Sequence, residues 1–337
     1  EAPLRASAVE TQGKEVRMWN TGETWKLFDL GAGSVDRWGY PYFTVYRPDL
    51  LEALAAGVRR EKPDAIHLAS RAIGVTQTAD RVQLQLEDGR TMDGDIAIGA
   101  DGVHSKLRQS LFGPDKPQFT GLIAWRGVIP MAKLPAHLNR MVGTNWVGPG
   151  RHIVHYPLRR GELMNFVGIL ERDDWQIESW TTAGTHDECR RDFTGWHADI
   201  QSMIEHIPTP YKWALMGRAP LKRWSVGRVS LLGDACHPTL PMLAQGAVQA
   251  LEDGFILARA LAECTDPIVA LQRYEFARLA RTTQMVNGSN ENGKRFHNPA
   301  LADPTTAREF VMREWSEARI NERYDWLFTY DATTVPI

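Results

Sequence analysis

Apolar and polar positions alternate through the middle of the chain. Trp125 to Ile129, Met141 to Trp146, His152 to Pro157 and Leu163 to Leu170 are rich in β-branched and aromatic residues. Gly148, Pro149 and Gly150, and then Arg159 to Glu162, punctuate these runs. A period of two with such breaks predicts an antiparallel sheet of at least four strands. Glu15 to Trp19 and Thr24 to Leu30 flank Asn20-Thr21-Gly22 and predict a hairpin. Ala65 to Leu68, Gly74 to Gln77 and Val82 to Leu86 read as strands, with Asp88-Gly89 as a turn. Lys212 to Trp224 reads as strand material, and Asp95 to Gly99 and Val229 to Leu232 as short buried strands.

Elsewhere the period is helical. A helix starts at Pro48, with Leu50, Leu51 and Leu54 as its buried face. Asp187 to Phe193 and Ala198 to Ile207 predict short helices. From Ala247 onward Val248, Leu251, Phe255, Leu257 and Leu261 recur at helical spacing. Ile268 to Asn292 predicts a long helix broken near Asn287-Gly288, and Thr305 to Thr329 predicts another.

The stretch from Val229 to Leu261 joins a strand, a turn ending in Asp234, and a helix. In open α/β folds such a junction is a ligand site at the carboxyl end of a strand. Asp234 can accept hydrogen bonds from hydroxyls, and the helix start near Gln245 and Gly246 offers unpaired N–H groups to an anion or a polar ring edge. A plain strand-to-helix corner with Asp as the cap gives the same local pattern.

The residues from Gly227 to Asp253 read G-R-V-x-L-L-G-D-A-x-H-P-x-x-P-x-x-A-Q-G-A-x-x-A-x-E-D. This resembles the second flavin fingerprint of the FAD-dependent aromatic hydroxylases, single-component monooxygenases of the salicylate and 3-hydroxybenzoate hydroxylase type. Asp101 to Arg108, D-G-x-H-S-x-x-R, is similar to a further motif of that family. The ending Arg323 to Asp331 is similar to the salicylate and 3-hydroxybenzoate branch. The family's first fingerprint, G-x-G-x-x-G, has no match: Gly31 to Asp36 lacks the third glycine, and Trp38-Gly39-Tyr40 is not expected to open a regular helix. The resemblance therefore runs from about residue 10 to the end, and the chain is expected to be a fragment, or to have lost its N-terminus, and to bind FAD poorly alone.

The resemblance implies an α/β fold: a Rossmann-like FAD-binding domain without its N-terminal βαβ unit, an inserted, mainly antiparallel β-sheet substrate domain that roofs the flavin, and a helical C-terminus. Residues 1–118 and 225–264 would belong to the FAD-binding domain, 119–224 to the substrate domain and 265–337 to the helical region, with some substrate-domain strands supplied before 118. It implies that Arg47 reaches the FAD phosphates and that Asp101, Gly102 and Arg108 contact FAD. Gly233 and Asp234 would bind the ribityl chain, and Pro241, Gln245, Gly246 and Ala247 would lie beside the isoalloxazine ring. FAD would be held non-covalently. NADH or NADPH would reduce it, O2 would be consumed, and one oxygen atom would go to the ring of a phenolic aromatic acid.

Such a reaction needs a phenol stripped of its proton, hence a nearby base. His152, Val154 and Tyr156 share one face of a strand, and Ile153 and His155 the other. The 3-hydroxybenzoate branch has a similar H-x-x-x-Y facing substrate. His152 is thus the candidate base, by virtue of an ordinary pKa of about 6.5, and Tyr156 the residue that holds the ring. His104 and His237 lie inside the flavin motifs and read as structural.

Composition narrows the setting. The 337 residues carry 39 Lys plus Arg against 41 Asp plus Glu, which suggests neither a nucleic-acid surface nor a membrane-binding patch. No apolar run has transmembrane length. Cys189, Cys236 and Cys264 lack metal-ligand spacing and read as reduced thiols in the cytoplasm. No metal is expected, and a homodimer is allowed. Two other readings are a non-hydroxylating flavin oxidoreductase of the same fold and a flavin-free remnant acting as a binding module.

Overall fold

The computed structural model describes residues 2–174 and 182–337. The chain is an α/β protein that divides into two compact units. Glu1–Ile66, Gly121–Leu215 and Lys294–Thr329 form the first, and His67–Thr120, Met216–Gly293 and Tyr330–Ile337 the second.

The first unit is built on a seven-stranded sheet in the order Tyr211–Gly217, Gln118–Pro130, Leu163–Glu171, Arg151–Leu158, Val142–Gly148, Gly13–Met18, Thr24–Asp29. Successive neighbours from Gln118–Pro130 to Val142–Gly148 are antiparallel, as are the last two strands, whereas Val142–Gly148 and Gly13–Met18 run parallel. Directly paired residues share a face, so the register sorts the side chains. One face carries Trp125, Thr144, Trp146, Ile153, His155 and Phe166, all buried. The helices His186–Asp192 and Ala198–His206 cover it. Two glycines let that layer approach: Ile207 lies where a Cβ on Gly127 would be, and Phe193 Cζ stands 2.6 Å from the Cβ position of Gly168. Trp125 Nε1 donates to Asp192 at 2.7 Å. Towards the other edge of this face, Glu15 accepts both terminal nitrogens of Arg140 at 3.0 Å, together with Arg17 and Thr144.

The opposite face alternates differently. Arg126, Val128, Val154, Tyr156 and Val167 are only half-buried. At its edge Phe28 packs against Tyr324 and Phe328 of the helix Glu317–Phe328, with ring centroids 5.2 and 5.9 Å apart.

The second unit holds a parallel pair, Ala97–Gly99 with Val229–Leu231, and an antiparallel three-stranded sheet, Ala72–Gln77, Val82–Leu86 and Thr91–Gly94. Leu231, Ile256, Leu271, Tyr274 and Trp224 form its core with the helices Gly246–Glu263 and Pro267–Phe296. Among the described residues no helix is long and apolar enough to cross a membrane.

Four expectations need correction. The helix Arg47–Glu61 has no buried leucine face: Leu50 is half-buried, and Leu51 and Leu54 are exposed. Ala65 to Leu68 forms no strand. The long C-terminal helix runs unbroken through Asn287-Gly288, since an isolated helical Gly costs only about 1 kcal/mol against Ala; a Cβ on Gly288 would come within 3.3 Å of Leu243. Thr305 to Thr329 is two helices, Pro304–Glu314 and Glu317–Phe328, parted at Trp315-Ser316. The rejection of Gly31 to Asp36 as a phosphate loop stands: the stretch enters the short helix Ala32–Trp38, which Gly39 ends in the left-handed region at φ 82°. The strand before it pairs antiparallel with Gly13–Met18, so no parallel βαβ phosphate loop arises there.

Candidate active site

In the second unit, two carboxylates follow the carboxyl ends of adjacent parallel strands. Leu232 N donates to Gly99 O at 2.9 Å and carries the pairing to the point where the chains part. Asp101 then turns to the helix Lys106–Phe112. Its Oδ2 accepts from Lys106 N at 2.6 Å and Leu107 N at 3.2 Å, its Oδ1 accepts from Ser105 Oγ, and Ser105 Oγ accepts from Arg108 N at 2.9 Å. Ser105 thus caps the helix, and Asp101 spends its carboxylate on the same helix start. Gly102 provides the left-handed turn between them at φ 79°. Arg108 is buried and points inward, donating to Asp115 at 2.7 Å and to Ala235 O at 3.3 Å. With Arg218 it holds the Asp115 carboxyl below its ordinary range against the opposing effect of burial. Arg108 thereby ties down the turn that carries Asp234.

That turn is Gly233–Ala235. Gly233 sits at φ 63°, its N–H donates to Asp253 Oδ2 at 3.0 Å, and a Cβ there would meet Ala250 at 3.2 Å. Asp234 is exposed. The helix Gly246–Glu263 starts without a side-chain cap: Gln245 at the cap position is buried and accepts from Gln249 Nε2 at 3.2 Å instead. Pro241 and Ala247 are exposed on either side of it. An exposed carboxylate after a parallel strand and an uncapped helix start suit a ligand with hydroxyls and an electronegative edge, and the residues therefore fit FAD.

Behind this turn lies a pin that the sequence pattern did not reveal. Asp253, fully buried, takes His237 Nε2 at 2.6 Å and Arg278 Nε at 2.7 Å. Arg278 also binds Glu252 and Gln249. These partners keep the Asp253 carboxyl below its ordinary range although burial pushes the other way. Cys236, His237 and Asp253 cluster closely enough to suggest a metal, but Arg278 already supplies the cation and burial holds the Cys236 thiol well above its usual value. His237 is structural in this setting, as its place in the motif implies.

In the first unit, the half-buried sheet face carries the polar groups. Row by row, Lys14 lies opposite Gly143, and Asn165 opposite Tyr156. Val16 faces Asn145, which faces Val154, and Arg126 pairs with Val167 on the far side. Val147 faces His152. Asn145 is 2% exposed and its Oδ1 has no hydrogen-bond partner. Lys14 has no carboxylate within ion-pair distance among the described residues, and burial pulls it down to about 8. Burial raises Tyr156, with Arg126 opposing; burial and the neighbouring Tyr156 push Tyr42 up to about 12. Arg47 is exposed at the start of the helix Arg47–Glu61, close enough to Arg126 to depress it.

His152 is 1% exposed and its Nδ1 lies 2.6 Å from His297 Nε2. Phe296 packs on it at 5.1 Å. Burial, then His297 and Lys14, hold its pKa well below the usual value. The expectation that it is an effective base because its pKa lies near neutrality is thus corrected. His155, on the covered face, is lowered to about 4 by burial, and neither of its nitrogens has a partner. Sequence reasoning missed Lys14, Asn145, Asn165 and Arg126, because parity sorts residues within one strand and only the register between strands puts these on the face of Tyr156. It gave no signal for His297, which follows a helix 145 residues away from His152.

Known proteins resemble this chain over most of its length. A family profile described as an FAD binding domain matches residues 4–289. The chain is 35% identical to 3-amino-4-hydroxybenzoate 2-monooxygenase PtnB3 of Streptomyces platensis, over 98% of this chain and 81% of that protein. It is 33% identical to 6-hydroxynicotinate 3-monooxygenase of Bordetella bronchiseptica, over 95% and 78%. It is 30% identical to 3-hydroxybenzoate 6-hydroxylase of Klebsiella oxytoca, over 91% and 77%. The structure of a salicylate hydroxylase substrate complex superposes with a TM-score of 0.78 at 26% identity, covering 98% of this chain and 84% of that one. Klebsiella pneumoniae HpxO complexed with FAD and uric acid does so at 0.81 and 25%, covering 97% and 83%. The strand-end carboxylates, the uncapped helix and these relatives agree: the chain belongs to the FAD-dependent aromatic hydroxylases.

Proposed function

We propose that this flavoprotein monooxygenase hydroxylates a single aromatic ring bearing a carboxylate and an ionisable hydroxyl, with NADH or NADPH and O2 as co-substrates. One observation carries the substrate reading: the half-buried sheet face that gathers Lys14, Asn145, Tyr156, Asn165, Arg126 and His152. Cations and hydrogen-bond donors on an apolar floor suit an aromatic acid. Three named relatives support it, acting on 3-amino-4-hydroxybenzoate, 6-hydroxynicotinate and 3-hydroxybenzoate. Three free cysteines suit a reducing, cytoplasmic setting.

FAD, held by Asp234 and the start of the helix Gly246–Glu263, supplies electron transfer from the nicotinamide and oxygen activation. The rest falls to the chain's own side chains. Lys14 favours the phenolate electrostatically. His152 accepts the phenolic proton, and Tyr156 and Asn165 fix the ring in their shared row. Arg108 acts through the turn that presents Asp234, and Asp101 through the helix start it caps.

The test is oxidation of NADH or NADPH by the FAD-loaded protein with 3-hydroxybenzoate, salicylate, 6-hydroxynicotinate and 3-amino-4-hydroxybenzoate, with products read by mass. A product one oxygen atom heavier from one of these, and none from benzoate, is expected. His152→Asn should keep FAD and substrate affinity while product formation falls by roughly 10²–10⁴-fold, with hydrogen peroxide replacing product. No hydroxylated product from any phenolic acid would overturn the reading.

A further inference from the structure

His152 does not stand alone. Its Nδ1 is 2.6 Å from His297 Nε2, and His297 Nδ1 is 3.1 Å from Glu171 Oε1. His152 and His297 are 1% and 4% exposed, whereas the Glu171 side chain is 61% exposed. The three groups form a line from the buried sheet face to solvent. Backbone bonds fix that line: Gly150 N donates to His297 O and Glu171 N to Gly150 O, both at 3.0 Å. The turn before the His152 strand thus holds the histidine beside the carboxylate.

We infer that His152, His297 and Glu171 are a proton relay that carries the phenolic proton of the substrate from the sheet face to bulk water. The inference rests on the proposed role of His152. With Glu171 ionised, His297 donates Nδ1–H to it and accepts at Nε2, and His152 donates Nδ1–H to His297. His152 Nε2 is then the remaining acceptor, on a residue that shares its sheet face with Tyr156. Proton transfer breaks the phenol O–H bond and forms His152 Nε2–H. The His152 Nδ1 proton passes to His297 Nε2, and the His297 Nδ1 proton passes to Glu171 and on to water. Both rings exchange tautomers and neither ends as an imidazolium. The net change is one proton moved from phenol to solvent, with no oxidant or reductant involved.

This resolves a difficulty posed by burial. A histidine sealed from water and within the field of Lys14 is a weak terminal base, because the site disfavours a second cation. A relay needs no stored charge at His152. Charged groups around the line are Lys14 beside His152 and Arg151 and Glu171 beside His297. The two cations oppose imidazolium formation, and the carboxylate draws the proton outward.

The decisive measurement is proton release on mixing the FAD-loaded protein with the aromatic acid, followed by a pH-indicator dye in a stopped-flow instrument without O2. His297→Gln and Glu171→Gln should slow release at least tenfold between pH 6 and 7, with substrate affinity and the flavin spectrum unchanged. The pH profile of release should shift upward, because hydroxide must then take the proton. Glu171→Asp should restore part of the rate. Glu171 is exposed, so its variants test the relay even if His297→Gln misfolds. If His152→Asn slows release while both Gln variants behave as wild type, the relay is overturned and His152 discharges by another route. If His152→Asn is also silent, the proposed role of His152 fails with it.

Discussion

A single carboxylate and a single amine decide what the two ends of the chemistry can hold. Asp234 is exposed after the Val229–Leu231 strand, with its turn fixed by Gly233 and Arg108. Asp234→Ala should weaken FAD binding by one to two decades, the worth of charge-assisted hydrogen bonds at roughly 1.5–3 kcal/mol, while the fully loaded variant hydroxylates at a near-normal rate. Fluorescence titration of apoprotein with FAD reads this, and unchanged affinity would contradict it. Lys14 is a cation below about 8 and neutral above. Substrate dissociation constants should therefore rise as pH passes through that value. Lys14→Met should remove the pH dependence and leave weak binding throughout, and Lys14→Arg should move the limb upward. At this scale the sequence shows that Asp234 follows a strand and that Tyr156 shares a face with His152, because local spacing encodes both placements. His297 and Glu171 escaped because their approach to His152 depends on a turn and a helix end far apart in sequence.

At the scale of the element, the Arg151–Leu158 strand carries a buried histidine on each face. Strand parity separated them correctly from the pattern alone, since a period of two leaves no other arrangement. Its energetic consequence needed the structure. His155 is held neutral down to about 4, with Arg17 and Arg140 opposing protonation and Glu15 and Asp199 favouring it. In the unfolded chain it takes a proton near 6.5. The unfolded state thus binds more protons between those values, and stability falls as pH falls through the window, by roughly 1.4 kcal/mol per unit at most from this residue. Urea midpoints should begin to drop below about pH 6.5, above the range in which ordinary carboxylates titrate. His155→Leu should flatten that decline, and an unchanged slope would refute the assignment. The helices were less legible than the strands. Asn287-Gly288 looks like a break, yet the helix continues, because one Gly costs only about 1 kcal/mol in a helix of 30 residues.

For the whole molecule, the fold class followed from the resemblance carried by the motifs at Asp101 and Asp234, but the composition of the sheet did not. Residues 119–224 contain nearly all of five strands, and the sheet has seven. The other two, Gly13–Met18 and Thr24–Asp29, come from far earlier in the chain, and the first joins by a parallel pairing with Val142–Gly148. Parallel pairing leaves no hairpin signal, so nothing in the local pattern links these segments. The consequence is physical. Without Gly13–Met18, the Val142–Gly148 strand becomes an open edge with unpaired backbone groups. Arg140 and Thr144 also lose Glu15, a 5% exposed carboxylate held below its ordinary range by Arg140, Arg17 and Thr144 against the effect of burial. A fragment of residues 119–224 made alone should be aggregation-prone and lack a cooperative thermal transition. Extending it to include residues 2–66 and 294–329 should recover dispersed amide resonances, since these segments complete the first unit. A monodisperse, cooperatively folding 119–224 fragment would mean that the five strands suffice, and that the early strands merely cover a core stable without them.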